Sequence, residues 1–252
     1  MKKKATMLST LAGVVMFFAL WQLLALIINR PILPSPLEVV PLFLRNITGE
    51  LGLHFLASAA RVLTAIILAT LLAAPLGLAL GQMPRLDSVI GPLIAIIYPI
   101  PKIIFLPVIY VLMGISDLSK ITLIASIIFF QILVVVRDEA AGLKKELILS
   151  VKSLGAGRRA LFKYVYIPAS IPAILTALRV SVGTAVAVLF IAEQSLTSYG
   201  LGYYIVIETY QVLLYPEMYT GIMGMGLLGV LLYFAIYSIE LKVSKHMFLD
   251  GH

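Results

Sequence analysis

Apolar runs long enough to cross a lipid bilayer constrain this chain more than any other feature of its sequence. A helix needs about 20 mostly apolar residues to span the hydrocarbon core, and the run from Met7 to Ile28 reaches that length. Of the 252 residues, 61% are hydrophobic and only 12% are charged, whereas soluble domains carry about a quarter of charged residues. The sequence therefore predicts an all-α, polytopic membrane protein, because helices satisfy their backbone hydrogen bonds within lipid.

Six apolar segments are predicted to cross the membrane, within a single transmembrane domain that covers residues 1–252. Their approximate bounds are 7–28, 54–80, 89–113, 120–136, 169–192 and 212–239. The first is too long for a signal peptide and lacks a small-residue cleavage site, so we expect it to be retained. Four prolines lie in the third, namely Pro92, Pro99, Pro101 and Pro107. That span is therefore expected to be kinked or broken and to line a cavity.

The distribution of basic residues predicts the orientation of these spans. Six spans put both termini on one side, and the cytoplasmic side is the one richer in Lys and Arg. Of the 19 basic residues, 13 lie at the termini, in the turn 81–88 or in the loop 137–168, and three lie in the opposite loops. Both termini and the loop 137–168 are therefore predicted to be cytoplasmic. Since topology explains the positive charge, we do not expect a nucleic-acid partner.

Motifs of catalysis and cofactor binding are missing from the sequence. There is no G-x4-GK-[ST], so the chain does not hydrolyse ATP by a P-loop, and there is no HExxH or GxSxG. Gly224–Gly229 matches GxGxxG, but it lies inside an apolar span and indicates close helix packing. With no cysteine and only three scattered histidines, neither a metal site nor a cofactor is expected. An intramembrane enzyme is disfavoured because the spans lack paired titratable groups.

The interval 146–168 is the longest polar and basic stretch between apolar spans. Leu147, Val151 and Leu154 recur at helical spacing within it, and basic residues fill the polar positions. The run 155–157, Gly-Ala-Gly, interrupts the pattern and predicts two short helices joined at a bend. Such a pair is a natural docking element for a partner with an apolar groove. The alternative is a basic loop lying on lipid headgroups.

Charged residues inside the spans are candidates for a solute pathway. Lys102 lies in the middle of the broken third span, where it would suit an anionic solute or else extend to the membrane surface. Arg179 lies well inside the fifth span and is predicted to pair internally. Glu193 ends that span and is either a gate residue or a solvated charge at a helix end. With Tyr98 these are the candidate pore residues, whereas Arg61 is expected to be structural.

Several short motifs occur in an order that is typical of one protein family. Gly155 is followed nine residues later by Val165-Tyr166-Ile167-Pro168. The other motifs are Leu33-Pro34-Ser35-Pro36, Pro101 with Leu106-Pro107, and Ala192-Glu193 with Gly200-Leu201-Gly202-Tyr203. Together they resemble the permeases of ATP-binding-cassette (ABC) importers, in particular the nitrate, sulfonate and taurine branch. The 155–168 pattern is similar to the second half of that family's EAA loop, and the resemblance covers residues 30–240.

One position departs from the family pattern. The glutamate of the EAA motif stands six residues before the glycine, where this chain has Leu149. The literal Glu139-Ala140-Ala141 lies ten residues too early, and Glu146, one turn before Leu149, is the candidate replacement. The resemblance implies that these residues couple the permease to its ATPase: Glu146, Ser150, Val151, Ser153, Leu154, Gly155, Ala156, Arg158, Arg159 and Phe162.

The resemblance also implies partners and a location. Two copies of the chain would form the pore in a prokaryotic inner membrane, two ATPase subunits would bind ATP and dock on the coupling loop, and an extracytoplasmic binding protein would deliver the solute. The solute would be a small anion such as a sulfonate or nitrate, and the chain itself would be no enzyme and hold no cofactor. An alternative from another class is a secondary transporter or channel driven by an ion gradient, which predicts internal repeats.

Overall fold

The computed structural model describes residues 2–194 and 197–243, and every regular element in these ranges is helical. The α-helices are α1 (Lys2–Ile28), α2 (Pro36–Asn46), α3 (Glu50–Gln82), α4 (Pro84–Ile97), α5 (Leu106–Met113), α6 (Asp117–Ala141), α7 (Lys145–Ser153), α8 (Arg158–Leu161), α9 (Ile167–Glu193), α10 (Leu201–Tyr203) and α11 (Tyr215–Val243). A 3₁₀ turn (Lys102–Phe105) precedes α5, and π-helices occupy Phe162–Tyr166 and Tyr204–Tyr210.

Membrane-spanning helices account for most of the described residues. Four are long and apolar enough to cross a bilayer, namely 50–82, 117–141, 159–193 and 215–243. The segments Pro84–Ile97 and Lys102–Met113 form a fifth candidate, bent by 79° at the break between them. The break that the prolines predict is thus confirmed. The apolar part of α1 that was searched, Ala12–Ile28, is shorter.

The chain divides into two compact units, of which the first comprises Met1–Ser58 and Glu193–Gly226. In this unit the indole of Trp21 donates a hydrogen bond to the carbonyl of Pro34 at 3.0 Å and stacks on the ring of Tyr219. A Cβ atom on Gly221 would lie 2.8 Å from the ring of Tyr204. Close approach at this glycine therefore sets how α11 packs on the π-helix 204–210.

The second unit comprises Ala59–Ala192 and Leu227–His252, and α3 packs closely on α6 within it. A Cβ on Gly77 would lie 2.9 Å from the carbonyl oxygen of Leu133, and one on Gly81 would overlap the carbonyl of Arg137. Both glycines therefore allow the backbones of α3 and α6 to approach closely, as small residues do between membrane helices. Gln82 adds a hydrogen bond from its side-chain amide to the carbonyl of Ala140.

Two ion pairs join helices of the second unit. The buried Arg61 contacts a carboxylate oxygen of Asp117 at 2.6 Å, and Arg137 contacts Asp87 at 2.6 Å. The first pair links α3 to α6, and the second links α4 to α6. The pair with Asp117 gives Arg61 the structural role that the sequence predicts, because it connects α3 to α6.

Candidate functional site

The coupling segment, residues 145–163, follows α6 in the chain. It contains two short helices that are separated by a bend. α7 ends at Ser153 and α8 begins at Arg158, as the Gly-Ala-Gly run predicts. Gly155 has a φ of +82°, a backbone conformation that glycine adopts without a steric penalty. Its N–H donates to the carbonyl of Lys152 at 2.9 Å and closes the turn. The direction of α8 relative to α7 therefore depends on this glycine.

Apolar side chains of the coupling segment face outward from the chain. Leu154 is 85% exposed, and Leu149 is 61% exposed. Of the predicted coupling residues, Glu146, Ser150, Ser153 and Arg159 are also exposed, whereas Val151, Ala156 and Phe162 are half-buried. The side chain of Arg158 lies outside the described residues. These exposed leucines lie on a bent segment that is rich in basic residues. They form an apolar surface that the described part of the chain leaves uncovered.

The two serines of α7 bond within their own helix. The hydroxyl of Ser150 donates to the carbonyl of Glu146 at 2.7 Å, and that of Ser153 donates to the carbonyl of Ser150 at 2.8 Å. Glu146 lies in the first turn of α7, where a carboxylate interacts favourably with the helix dipole. It is exposed at the position proposed to replace the missing family glutamate.

The break between α4 and α5 is held by Lys102. Pro99 and Pro101 cannot donate backbone hydrogen bonds, so carbonyls at the end of α4 lose their helical partners. The ammonium group of Lys102 donates to the carbonyls of Ile97 at 3.0 Å, Tyr98 at 2.8 Å and Ile100 at 3.2 Å. Since an ammonium has three N–H groups, these three carbonyls use its whole donor capacity.

Lys102 and Tyr98 line one cavity of about 390 Å³ beside the break. The ammonium lies 4.5 Å from the centre of the Phe130 ring, and the amide of Gln131 also reaches this cavity. The structure therefore brings together two of the four predicted pore residues. An anion here would meet the charge of Lys102, but the three N–H groups of that ammonium are already bonded to backbone carbonyls.

Arg179 pairs inside the second unit, as predicted. Its guanidinium donates to the carboxylate of Glu240 at 2.8 Å and to the hydroxyl of Tyr233 at 3.0 Å. Thr176 donates to the other carboxylate oxygen of Glu240 at 2.7 Å. These contacts satisfy both charges, and a role of Arg179 in the solute pathway stays a prediction.

Glu193 is completely buried, which excludes the interpretation as a solvated charge at a helix end. Its carboxylate accepts hydrogen bonds from the hydroxyl of Ser58 at 2.7 Å and from the N–H of Gly202 at 3.1 Å. The hydroxyl of Ser58 in turn accepts from the N–H of Leu201 at 2.8 Å. Glu193 thereby ties the start of α10 to α3 within the first unit. The alternative of a gate residue stays a prediction.

A polar cluster that the sequence analysis missed lies beside this carboxylate. Glu50, His54 and Glu208 come together, and the Nε2 atom of His54 lies 3.1 Å from a carboxylate oxygen of Glu208. Burial raises the pKa of the Glu208 carboxyl, and the nearby Glu50 carboxylate raises it further. Glu50 and His54 are four residues apart, on one face of α3. That spacing was the only local signal, because Glu208 is remote in the chain.

Comparisons with known proteins decide which family these features belong to. Residues 65–247 match the family described as binding-protein-dependent transport system inner membrane component. The chain belongs to this family. It is therefore a permease subunit of an ABC importer, a pore-forming membrane protein and not an enzyme.

Individual relatives agree with this assignment. The permease is 28% identical to the taurine transport system permease protein TauC of Escherichia coli, over 89% of this chain and 84% of the relative. It is 33% identical to an ABC transporter permease protein, MJ0413, of Methanocaldococcus jannaschii, over 88% of this chain and 86% of the relative. Family membership thus favours the ABC permease over the secondary transporter driven by an ion gradient.

A solved structure shows the same fold. The permease aligns with a chain of the MetNI methionine ABC transporter in an inward-facing conformation, with a TM-score of 0.64 over 77% of this chain and 96% of that chain. The sequences are 19% identical in this alignment. The resemblance to ABC importer permeases is thereby confirmed for the family and for the fold. Membership of the family implies an ATPase partner and a solute-binding protein.

Proposed function

We propose that this permease imports a small anion, such as a sulfonate or nitrate, in a complex powered by a separate ATPase. Taurine, which names the TauC relative, carries a sulfonate group, and this supports a solute of that class. In the cavity beside the α4–α5 break, Lys102 provides a cation, Tyr98 provides a phenol and Gln131 provides an amide. These groups suit an oxyanion through charge and hydrogen bonding.

The exposed coupling segment is the observation that carries this proposal. Leu149 and Leu154 are apolar side chains that the permease leaves uncovered on a loop rich in basic residues. An ATPase with an apolar groove would bury them, in the manner of other helix-in-groove contacts. When that ATPase binds ATP, it would then move α7 and α8 together as one rigid unit. The permease itself would bind neither ATP nor another catalytic cofactor.

The assembly would contain two copies of the permease, two ATPase subunits and one extracytoplasmic binding protein. Closed two-fold symmetry is the commonest arrangement of soluble homo-oligomers, and a pore between two copies needs no further subunit. The excess of Lys and Arg in the loop 137–168 supports a cytoplasmic position for that loop and for both termini. The membrane would be the inner membrane of a prokaryotic cell.

Uptake into proteoliposomes tests the proposal. The purified permease would be reconstituted with its ATPase and binding protein, and uptake of radiolabelled taurine, an alkanesulfonate and nitrate would be measured. We expect that at least one of these solutes is taken up, that its uptake needs ATP, the binding protein and the ATPase, and that it persists when ionophores collapse all ion gradients. The mass of the detergent-solubilised complex reports its stoichiometry.

Two results would contradict different parts of the proposal. Uptake that survives without ATP but stops with an ionophore would contradict the coupling to an ATPase. ATP-driven uptake only of solutes that carry no sulfonate, nitrate or other anionic group would leave the coupling intact and contradict the anion assignment. Lys102→Met serves as a matched variant for the second part, because it removes the cavity's positive charge and keeps the length of the side chain.

A further inference from the structure

Three potential metal ligands converge within the first unit, and none of them is among the candidate pore or coupling residues. Glu50 lies in the first turn of α3, His54 lies one turn later on the same face, and Glu208 comes from the π-helix 204–210. One ligand atom from each residue lies within 4.8 Å of the other two. Two carboxylates and an imidazole are ligands that zinc accepts in proteins.

The imidazole of His54 is fixed in place before any ion arrives. It is fully buried, and the rings of Tyr199, Tyr203 and Tyr204 surround it with centroids 5.5, 6.2 and 5.3 Å away. Its Nδ1 atom lies 3.0 Å from the backbone nitrogen of Gly200 and 3.1 Å from that residue's carbonyl oxygen. The ring therefore keeps Nε2 directed at the carboxylates.

The backbone of Gly200 satisfies either tautomer of this imidazole. When Nδ1 is unprotonated, it accepts from the Gly200 N–H, and Nε2–H faces Glu208. When Nδ1 carries the proton, it donates to the Gly200 carbonyl, and the lone pair of Nε2 is available to a metal. Donation of the second ring N–H to a backbone carbonyl is the usual arrangement of a metal-binding histidine. The tautomer needed for coordination thus has its hydrogen bond in place.

The two carboxylates are reachable from outside the buried imidazole. A cavity of about 590 Å³ is lined by both Glu50 and Glu208, and Glu50 is exposed. Zinc bonds to nitrogen and oxygen are about 2.0–2.2 Å long, so the three ligand atoms must move closer than they are. Because the Glu50 side chain is exposed, its rotation can bring its carboxylate closer to the other two ligand atoms. The cavity also leaves room for a water molecule as fourth ligand.

We propose that Glu50, His54 Nε2 and Glu208 form a binding site for one divalent transition-metal ion, of which zinc is the expected occupant. The imidazole favours zinc over magnesium and calcium, which prefer oxygen ligands alone. The ion would link the first turn of α3 to the π-helix 204–210 and stabilise this part of the first unit by mass action. The site is independent of which solute the permease carries.

Zinc titration of the full-length permease tests this site. The protein would be purified in detergent, stripped with a chelator and titrated with Zn²⁺ in competition with a chromophoric chelator. His246 and His252, the other histidines of the chain, would first be changed to Gln, so that they add no binding. We expect one ion per chain, and about 10-fold or greater weakening in Glu50→Gln and in Glu208→Gln.

A matched control lies in the same cavity. Glu217 lines it but does not belong to the three-residue cluster, so Glu217→Gln should bind zinc like the parent protein. His54→Gln should abolish binding, and the exposed Glu50 provides a variant that leaves the buried packing unchanged. A melting temperature measured without metal checks that each variant folds.

Two further readouts separate a built site from surface binding. X-ray absorption at the zinc edge should show imidazole scattering in the parent protein and not in His54→Gln at the same zinc load. Zinc should raise the melting temperature of the parent and of Glu217→Gln, but not that of His54→Gln. Equal zinc affinity in the parent, Glu50→Gln and Glu208→Gln would overturn the proposal. So would the failure of the parent to bind one ion per chain more tightly than His54→Gln.

Discussion

A comparison of two glycines tests whether the bend in the coupling segment matters for docking. Gly155 and Gly157 both have room for a side chain, because a Cβ on either would have no neighbour within 4 Å. They differ in backbone conformation, since Gly155 has a φ of +82° and Gly157 is not among the residues with positive φ. Valine at 155 is therefore strained, whereas valine at 157 adds the same side chain without that strain.

The magnitude follows from the backbone conformation. Holding a residue other than glycine in the left-handed region costs about 1–3 kcal/mol, and β-branched residues are the least tolerant. If the ATPase binds only the bent arrangement, Gly155→Val lowers its apparent affinity by as much as that cost, about 5-fold to 150-fold. Gly157→Val should change the affinity little.

The assay is a binding titration between the ATPase subunit and the permease in lipid nanodiscs, with wild type and both variants compared at one nucleotide concentration. Thermal melting of each permease variant serves as the folding control, because the strained position is exposed and should not affect the membrane helices. Equal affinities of Gly155→Val and wild type would refute the role of the bend. An equal loss in both variants would assign the effect to side-chain size.

Three other experiments test the packing and the charges. Gly81→Leu should destabilise the permease by about 1–3 kcal/mol through overpacking, seen as a lower melting temperature that Gly13→Leu, where a Cβ meets nothing within 4 Å, does not reproduce. Arg179→Met and Glu240→Gln should each lower the melting temperature, and the double variant should lose less than the sum, because the two groups share one interaction. Lys102→Met should weaken anion-stimulated ATP hydrolysis in the assembled complex, and normal stimulation would remove this residue from the pathway.

Features set by local sequence could be predicted for this chain. Apolar runs fix where helices cross the bilayer, since lipid offers no other partner for the backbone. The break of the third span follows from Pro99 and Pro101, which remove backbone donors. The bend of the coupling segment follows from a residue that tolerates positive φ, Gly155. In each case the cause lies within a few residues of its effect.

Pairings between distant side chains could not be predicted. Glu193 looks like a helix-end charge because its chain neighbours are polar, but Ser58, which lies 135 residues away, buries it in a hydrogen bond. The partners of Lys102 are backbone carbonyls, which carry no signal in the sequence. The cluster of His54 with Glu208 needs the fold to bring α3 next to the π-helix 204–210. Helical periodicity records which face is apolar, not which residues meet across it.

Cross-linking from a single cysteine tests the central claim, that the coupling segment contacts the ATPase. The natural chain has no cysteine, so Leu154→Cys can carry a photo-activated cross-linker without further changes. Val111→Cys in α5 is the matched control, since Leu154 and Val111 are both 85% exposed. We predict that the ATPase subunit cross-links to position 154 and not to position 111 in the reconstituted complex. ATP-driven transport by a complex that shows no cross-link at position 154 would contradict the account.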